Sequence, residues 1–146
     1  MLKKILFLLG LALLFTSCDG EKKNEQKLPP LKAIEIPKTI SGLYAGELPC
    51  DDCKKKQVKV QLDSLGEALV EEFFIQDSIT KVLSKATYVD SAETVTLLFK
   101  ETNKKWVFKK EGSLSLVYLD LSGKPYYMES GIAYQMLKIL NKPVKK

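Results

Sequence analysis

The strongest constraint in this sequence is a succession of short, β-prone runs divided by brief turn signals. Gln57–Leu62 is the clearest: Val58, Val60 and Leu62 share one face, and Gln57, Lys59 and Gln61 share the other. That is the two-residue period of a strand with one buried face. Asp63-Ser64-Leu65-Gly66 then reads as a turn. Leu43–Leu48, Glu67–Ile75, Lys81–Val89, Thr94–Lys100, Lys105–Lys109, Leu114–Tyr118 and Ile132–Leu140 complete a set of about eight strands. The doubled Phe73-Phe74 predicts a bulge or a two-sided environment. Glu129–Ile139 is the one stretch where a helix competes with a strand. The links are about 2–5 residues long, the lengths hairpins use. A meander of this kind either leaves two open edges or closes on itself, and closure removes the edges. An all-β, antiparallel up-and-down barrel is therefore expected, with a two-sheet sandwich as the alternative.

The N-terminus has a different texture. Lys3 and Lys4 precede an apolar run from Ile5 to Phe15, followed by Thr16-Ser17-Cys18. Eleven residues at about 1.5 Å each are too few to cross a hydrocarbon core of about 30 Å. The order positive, apolar, small, Cys is that of a secretory signal. It resembles a bacterial lipoprotein signal, in which the chain is cut before the Cys and the thiol receives diacylglycerol. Residues 1–17 are thus expected to be a signal peptide. Residues 18–38, rich in Lys, Glu, Asn, Gln and Pro, are expected to form a lipidated tether. The barrel domain is expected at 39–146. Cys18 is the expected lipidation site, and the membrane is a partner through that lipid.

Composition closes several routes to chemistry. The chain has no His, and all 23 basic residues are Lys. Ser-His-Asp and Cys-His catalysis and His metal sites are excluded, and the bidentate Arg readers of phosphate and guanine are missing. The formal net charge is +5, spread along the chain, and cutting before Cys18 lowers it by removing Lys3 and Lys4. Nothing here argues for nucleic acid. Ser-x-x-Lys occurs as Ser78-Ile79-Thr80-Lys81, but inside a strand pattern and without companion motifs. Glu71 and Glu72 are adjacent, so on a strand they point to opposite faces. We expect no enzymatic activity.

With Cys18 assigned to lipid, Cys50 and Cys53 remain as a pair in Pro49-Cys50-Asp51-Asp52-Cys53. Pro49 has no N–H to donate and discourages continuation of the first strand, so the two Cys sit in the turn before the second. Zinc lacks the four ligands it needs. A thioredoxin-like dithiol lacks its helix N-terminus, although Lys54, Lys55 and Lys56 favour thiolate. Cu(I) suits two soft thiolates, with Met128 or Met136 as a potential third ligand, provided the pair is reduced. An oxidising compartment favours a disulfide that staples the loop.

Tyr44, Gly46, Leu48, Pro49, Cys50, Asp52 and Cys53 together resemble the opening motif of the NlpE N-terminal domain family of copper-resistance-like lipoproteins. Leu114-x-x-x-Tyr118-Leu119-Asp120-x-x-Gly123 and Tyr134-Gln135-Met136-Leu137-Lys138 resemble its later elements. The resemblance implies a lipocalin-like barrel on an outer-membrane lipoprotein of the bacterial envelope, with links to envelope stress and copper homeostasis. In place of the small residues usual after the second Cys, this chain has Lys54-Lys55-Lys56. Two further readings stand beside this one. A barrel of about eight strands can carry a small apolar ligand or lipid, with Phe74, Phe99, Trp106 and Phe108 around the lumen. A lysine-rich face at Lys54–Lys56 can receive an envelope protein partner.

Overall fold

A computed structural model describes residues 39–140. The expected signal peptide, the tether and Cys18 lie outside the described residues. Eight strands follow in order: β1 (Gly42–Leu48), β2 (Lys55–Leu62), β3 (Glu67–Ile75), β4 (Ile79–Asp90), β5 (Thr94–Phe99), β6 (Lys105–Glu111), β7 (Ser115–Leu119) and β8 (Gln135–Lys138). Each pairs antiparallel with its neighbour in sequence, and β8 returns to β1 to close an up-and-down barrel. The described residues contain no helix. The barrel closes within Gly42–Lys138, so it is a folding unit that needs no strand from outside those bounds.

The period-2 pattern fills the interior. Tyr44, Leu48, Val58, Val60, Leu62, Val70, Val95, Leu97, Phe108, Leu116 and Met136 are all essentially inaccessible to solvent. Phe99 and Trp106 join them, with ring centroids 4.8 Å apart in an edge-to-face contact. Three of the four aromatics expected around a lumen are thus packed core residues. Phe74 stands at the rim instead.

Two open alternatives are settled and one expectation is corrected. Phe73-Phe74 makes no bulge: the β3–β4 register runs unbroken from Glu67↔Thr87 to Ile75↔Ile79. The doubled ring serves two sides, with Phe73 under Lys59 and Lys81 on the outer face and Phe74 under Lys56 at the barrel mouth. Glu129–Ile139 is not a helix. Nor does the last strand span Ile132–Leu140: the segment before Gln135 folds back in isolated bridges, Leu119↔Pro125 and Tyr127↔Ala133, and only four residues pair as β8. Those four close the barrel through Tyr44↔Lys138, Ala45↔Leu137 and Gly46↔Met136.

The seam explains a glycine. A Cβ on Gly46 would stand 2.1 Å from the Gln135 carbonyl oxygen and 2.8 Å from Met136 Cα, both backbone atoms. Only glycine lets β8 approach β1 this closely. The hairpin alternation also sorts the loops to two ends. The β1–β2, β3–β4, β5–β6 and β7–β8 connections gather at one end, which we call the rim. The β2–β3, β4–β5 and β6–β7 turns gather at the other, with Tyr44 donating its hydroxyl to the Ile40 carbonyl at 2.8 Å there.

Candidate functional site

The rim carries both unusual features of the molecule. Pro49 ends β1, and the chain crosses to β2 through the expected turn. Cys50 and Cys53 are joined as a disulfide there, with Cα atoms 5.5 Å apart. The turn is tied to the β3–β4 hairpin twice. The Gln76 side-chain amide donates to the Asp52 carbonyl, and Lys54 Nζ lies 3.4 Å from Asp77 Oδ1. The second tie is fully exposed and adds little. Turn and hairpin wall an open cleft of about 430 Å³, lined by the disulfide, Lys56, Phe74 and Gln76 among others.

The motif residues divide into scaffold and site. Tyr44, Gly46 and Leu48 point inward on β1, where they seal the lower end, allow the seam and fill the core. Pro49 and Asp52 shape and hold the turn. Met136 is a buried core residue of β8 facing Gly46, and Met128 lies in the turn closed by the Gly131 N–H donating to its carbonyl. Among the described residues no three His, Cys, Asp or Glu side chains converge as a metal ligand set.

The lysine run is not one face. Lys54 reaches the β3–β4 turn, and Lys55 points outward to Glu47 at 2.8 Å. Lys56 keeps the inward parity of Val58, Val60 and Leu62 and turns into the barrel mouth. It meets Glu72, the buried charged residue of β3. Glu72 Oε1 is 3.6 Å from Lys56 Nζ and 3.0 Å from Lys104 Nζ, which arrives from the β5–β6 turn. Side-chain exposure is 5% for Glu72, 12% for Lys56 and 36% for Lys104. Lys104 Nζ sits 4.3 Å above the Trp106 ring, and Lys56 Nζ lies 5.5 Å from the same ring. Burial lowers the Lys56 pKa below the usual lysine value, partly offset by the Glu72 carboxylate. A second cleft of about 770 Å³ runs from Pro49 and Lys56 across Trp106 to Tyr118, Leu121 and Tyr126.

Sequence reasoning had not joined Glu72, Lys104 and Trp106 into a cluster. Strand parity with Val70 and Val58 is the signal that could have placed Glu72 and Lys56 inward. Lys104 is brought in by a turn whose Asn103 adopts a left-handed φ of 51°, which no periodicity encodes.

The sequence model of the NlpE N-terminal domain matches residues 44–129. The chain belongs to that family. Two solved structures share the fold. The Cpx pathway activator NlpE of Escherichia coli aligns with a TM-score of 0.55 at 19% identity, covering 73% of this chain and 50% of that one. A putative lipoprotein of Shewanella oneidensis aligns with a TM-score of 0.54 at 19% identity, covering 67% of this chain and 87% of that one. This chain therefore spans about half the length of the E. coli activator. No curated protein matches the sequence. The matched region of this NlpE-family barrel begins at Tyr44 and so takes in the seam glycine, the disulfide turn and the Lys56–Glu72–Lys104 cluster together.

Proposed function

We infer that this protein is a lipid-anchored lipoprotein of the bacterial envelope that works without catalysis, in envelope-stress sensing or copper homeostasis, through its Cys50–Cys53 turn. The observation that carries this reading is the position of the sulfurs. They sit on an open rim, in a loop tied to a neighbouring hairpin, where reduction frees a local segment and leaves the barrel intact. Cys18 provides the anchor, and the name of the E. coli neighbour, a Cpx pathway activator, supports the stress role. The outer membrane is the proposed location.

Three measurements test this. Thiol counting on freshly isolated protein should find Cys50 and Cys53 oxidised in the resting state. Mass spectrometry of membrane-extracted protein should find Cys18 diacylated. The reduced barrel should take up one Cu(I) against a competing chelator, and Cys50→Ser and Cys53→Ser should each abolish uptake. A reduced barrel that takes up no copper removes the metal role and leaves redox sensing.

A further inference from the structure

The cluster at the barrel mouth is electrostatically incomplete. Two ammonium groups share one carboxylate oxygen, which leaves one positive charge in excess inside the cleft. Lys56 is largely removed from water, so that charge is poorly solvated. Its aromatic contacts with Trp106 and Phe74 compensate only in part. Two further acids line the longer cleft: Asp51, exposed at the lip between the two clefts, where water screens it, and Asp120, whose carboxylate accepts from the Ser122 hydroxyl and from the Ser122 and Lys124 N–H groups. The longer cleft starts at these lysines and continues over Trp106, Tyr118, Leu121 and Tyr126, a mostly apolar path. Leu121 is fully exposed along it. An anion-seeking end thus joins an apolar floor.

We propose that this cleft binds a small anionic amphiphile, with a single carboxylate head between Lys56 and Lys104 and an apolar chain laid along Tyr118, Leu121 and Tyr126. The ligand lies across the mouth of the barrel and not in its filled interior. The head makes charge-assisted hydrogen bonds to two ammonium groups, and it supplies the charge that Glu72 alone does not. The site is independent of the thiol chemistry and stands whether or not Cys50 and Cys53 respond to copper or reduction.

Trp106 is the sole tryptophan of the chain and lies in the site, so its fluorescence reports occupancy directly. The test titrates residues 39–146 with sodium decanoate at neutral pH, with decanol and acetate as the uncharged and tail-less probes. We expect a saturable change with decanoate, a weaker response to decanol, and none to acetate at the same concentration. Lys104→Gln removes the excess charge and should weaken decanoate binding about tenfold or more. Glu72→Gln raises the excess to two charges and should tighten it. These opposite signs separate electrostatic recognition from structural damage, which would weaken both. Equal affinity for decanoate and decanol, acetate binding as tight as decanoate, or an unchanged Lys104→Gln titration would each overturn the proposal. Should Glu72→Gln fail to fold, Lys104→Gln carries the test, since Lys104 is the most exposed member of the cluster.

Discussion

Gly46→Ala should open the seam between β1 and β8. The added methyl carbon would meet the Gln135 carbonyl oxygen at 2.1 Å, Met136 Cα at 2.8 Å and the Gln135 carbonyl carbon at 2.9 Å. All three are backbone atoms, so no rotamer change relieves the contact, and the strands must part by roughly 1 Å. That seam holds only three register pairs, with the Ile139 N–H donating to the Leu43 carbonyl just beyond it. Overpacking alone typically costs about 1–3 kcal/mol, and loosening a short seam adds to it, so about 3 kcal/mol is expected. With a urea m-value of about 1.5 kcal/mol/M for a domain of this size, the unfolding midpoint should fall by about 2 M. Urea titration followed by Trp106 fluorescence reads it. Gly123→Ala is the control: its φ of 80° strains an added side chain, but nothing lies within 4 Å, so only about 1 kcal/mol should be lost. A Gly46→Ala midpoint unchanged, or shifted no more than that of Gly123→Ala, would refute the idea that close backbone approach fixes this residue.

Glu72→Ala should cost about 3 kcal/mol, because it strands Lys56 in the cleft without a carboxylate; the Glu72→Leu/Lys56→Met double variant should recover most of that in a thermodynamic cycle. Cys50→Ser should lower stability by about 2 kcal/mol, the loop-entropy value for so short a ring, and leave the β circular dichroism spectrum unchanged. Burial, with Asp90 and Tyr88 adding to it, pushes the Tyr44 pKa up from 10.0 to about 12. The neutral phenol is therefore favoured by folding, so its contribution is full below pH 10 and is lost as pH rises toward 12, by about 2–3 kcal/mol. Alkaline urea curves should lose that slope in Tyr44→Phe. Lys55→Ala, which removes a partly exposed ion pair with Glu47, should change stability by under about 1 kcal/mol.

Most of the architecture was legible because each strand carries its own period. In β2 the inward set Val58, Val60 and Leu62 needs no tertiary information, and Glu67–Ile75 begins and ends where turn residues say it must. The misreadings occurred where that period competes with another force. Tyr134, Met136 and Lys138 alternate inward as a strand requires, yet the apolar density around them also suits a helix. Only the need to close the barrel against Gly46 decides between the two. The strand also reads too long, because the bridges at Pro125 and Ala133 occupy residues that otherwise look extended.

The site was legible by halves, and the division follows from how each part is specified. The disulfide is local, three residues apart and flanked by a proline, so sequence alone placed it in a turn. The charge cluster is non-local. Parity extended one step past Val58 already turns Lys56 inward, and parity from Val70 turns Glu72 inward beside it, which by itself is an ordinary neutral ion pair. What makes the pair unusual is Lys104, 32 residues further on, which strand pairing across β4, β5 and β6 brings to the same carboxylate oxygen. A lysine run read along the chain looked like a solvated surface. Once wrapped, it becomes three side chains with three different surroundings, and the one that goes inward joins the buried carboxylate that Lys104 also reaches. Closing the barrel therefore brings two lysines, distant in sequence, to one buried carboxylate on the same rim as the two sulfurs.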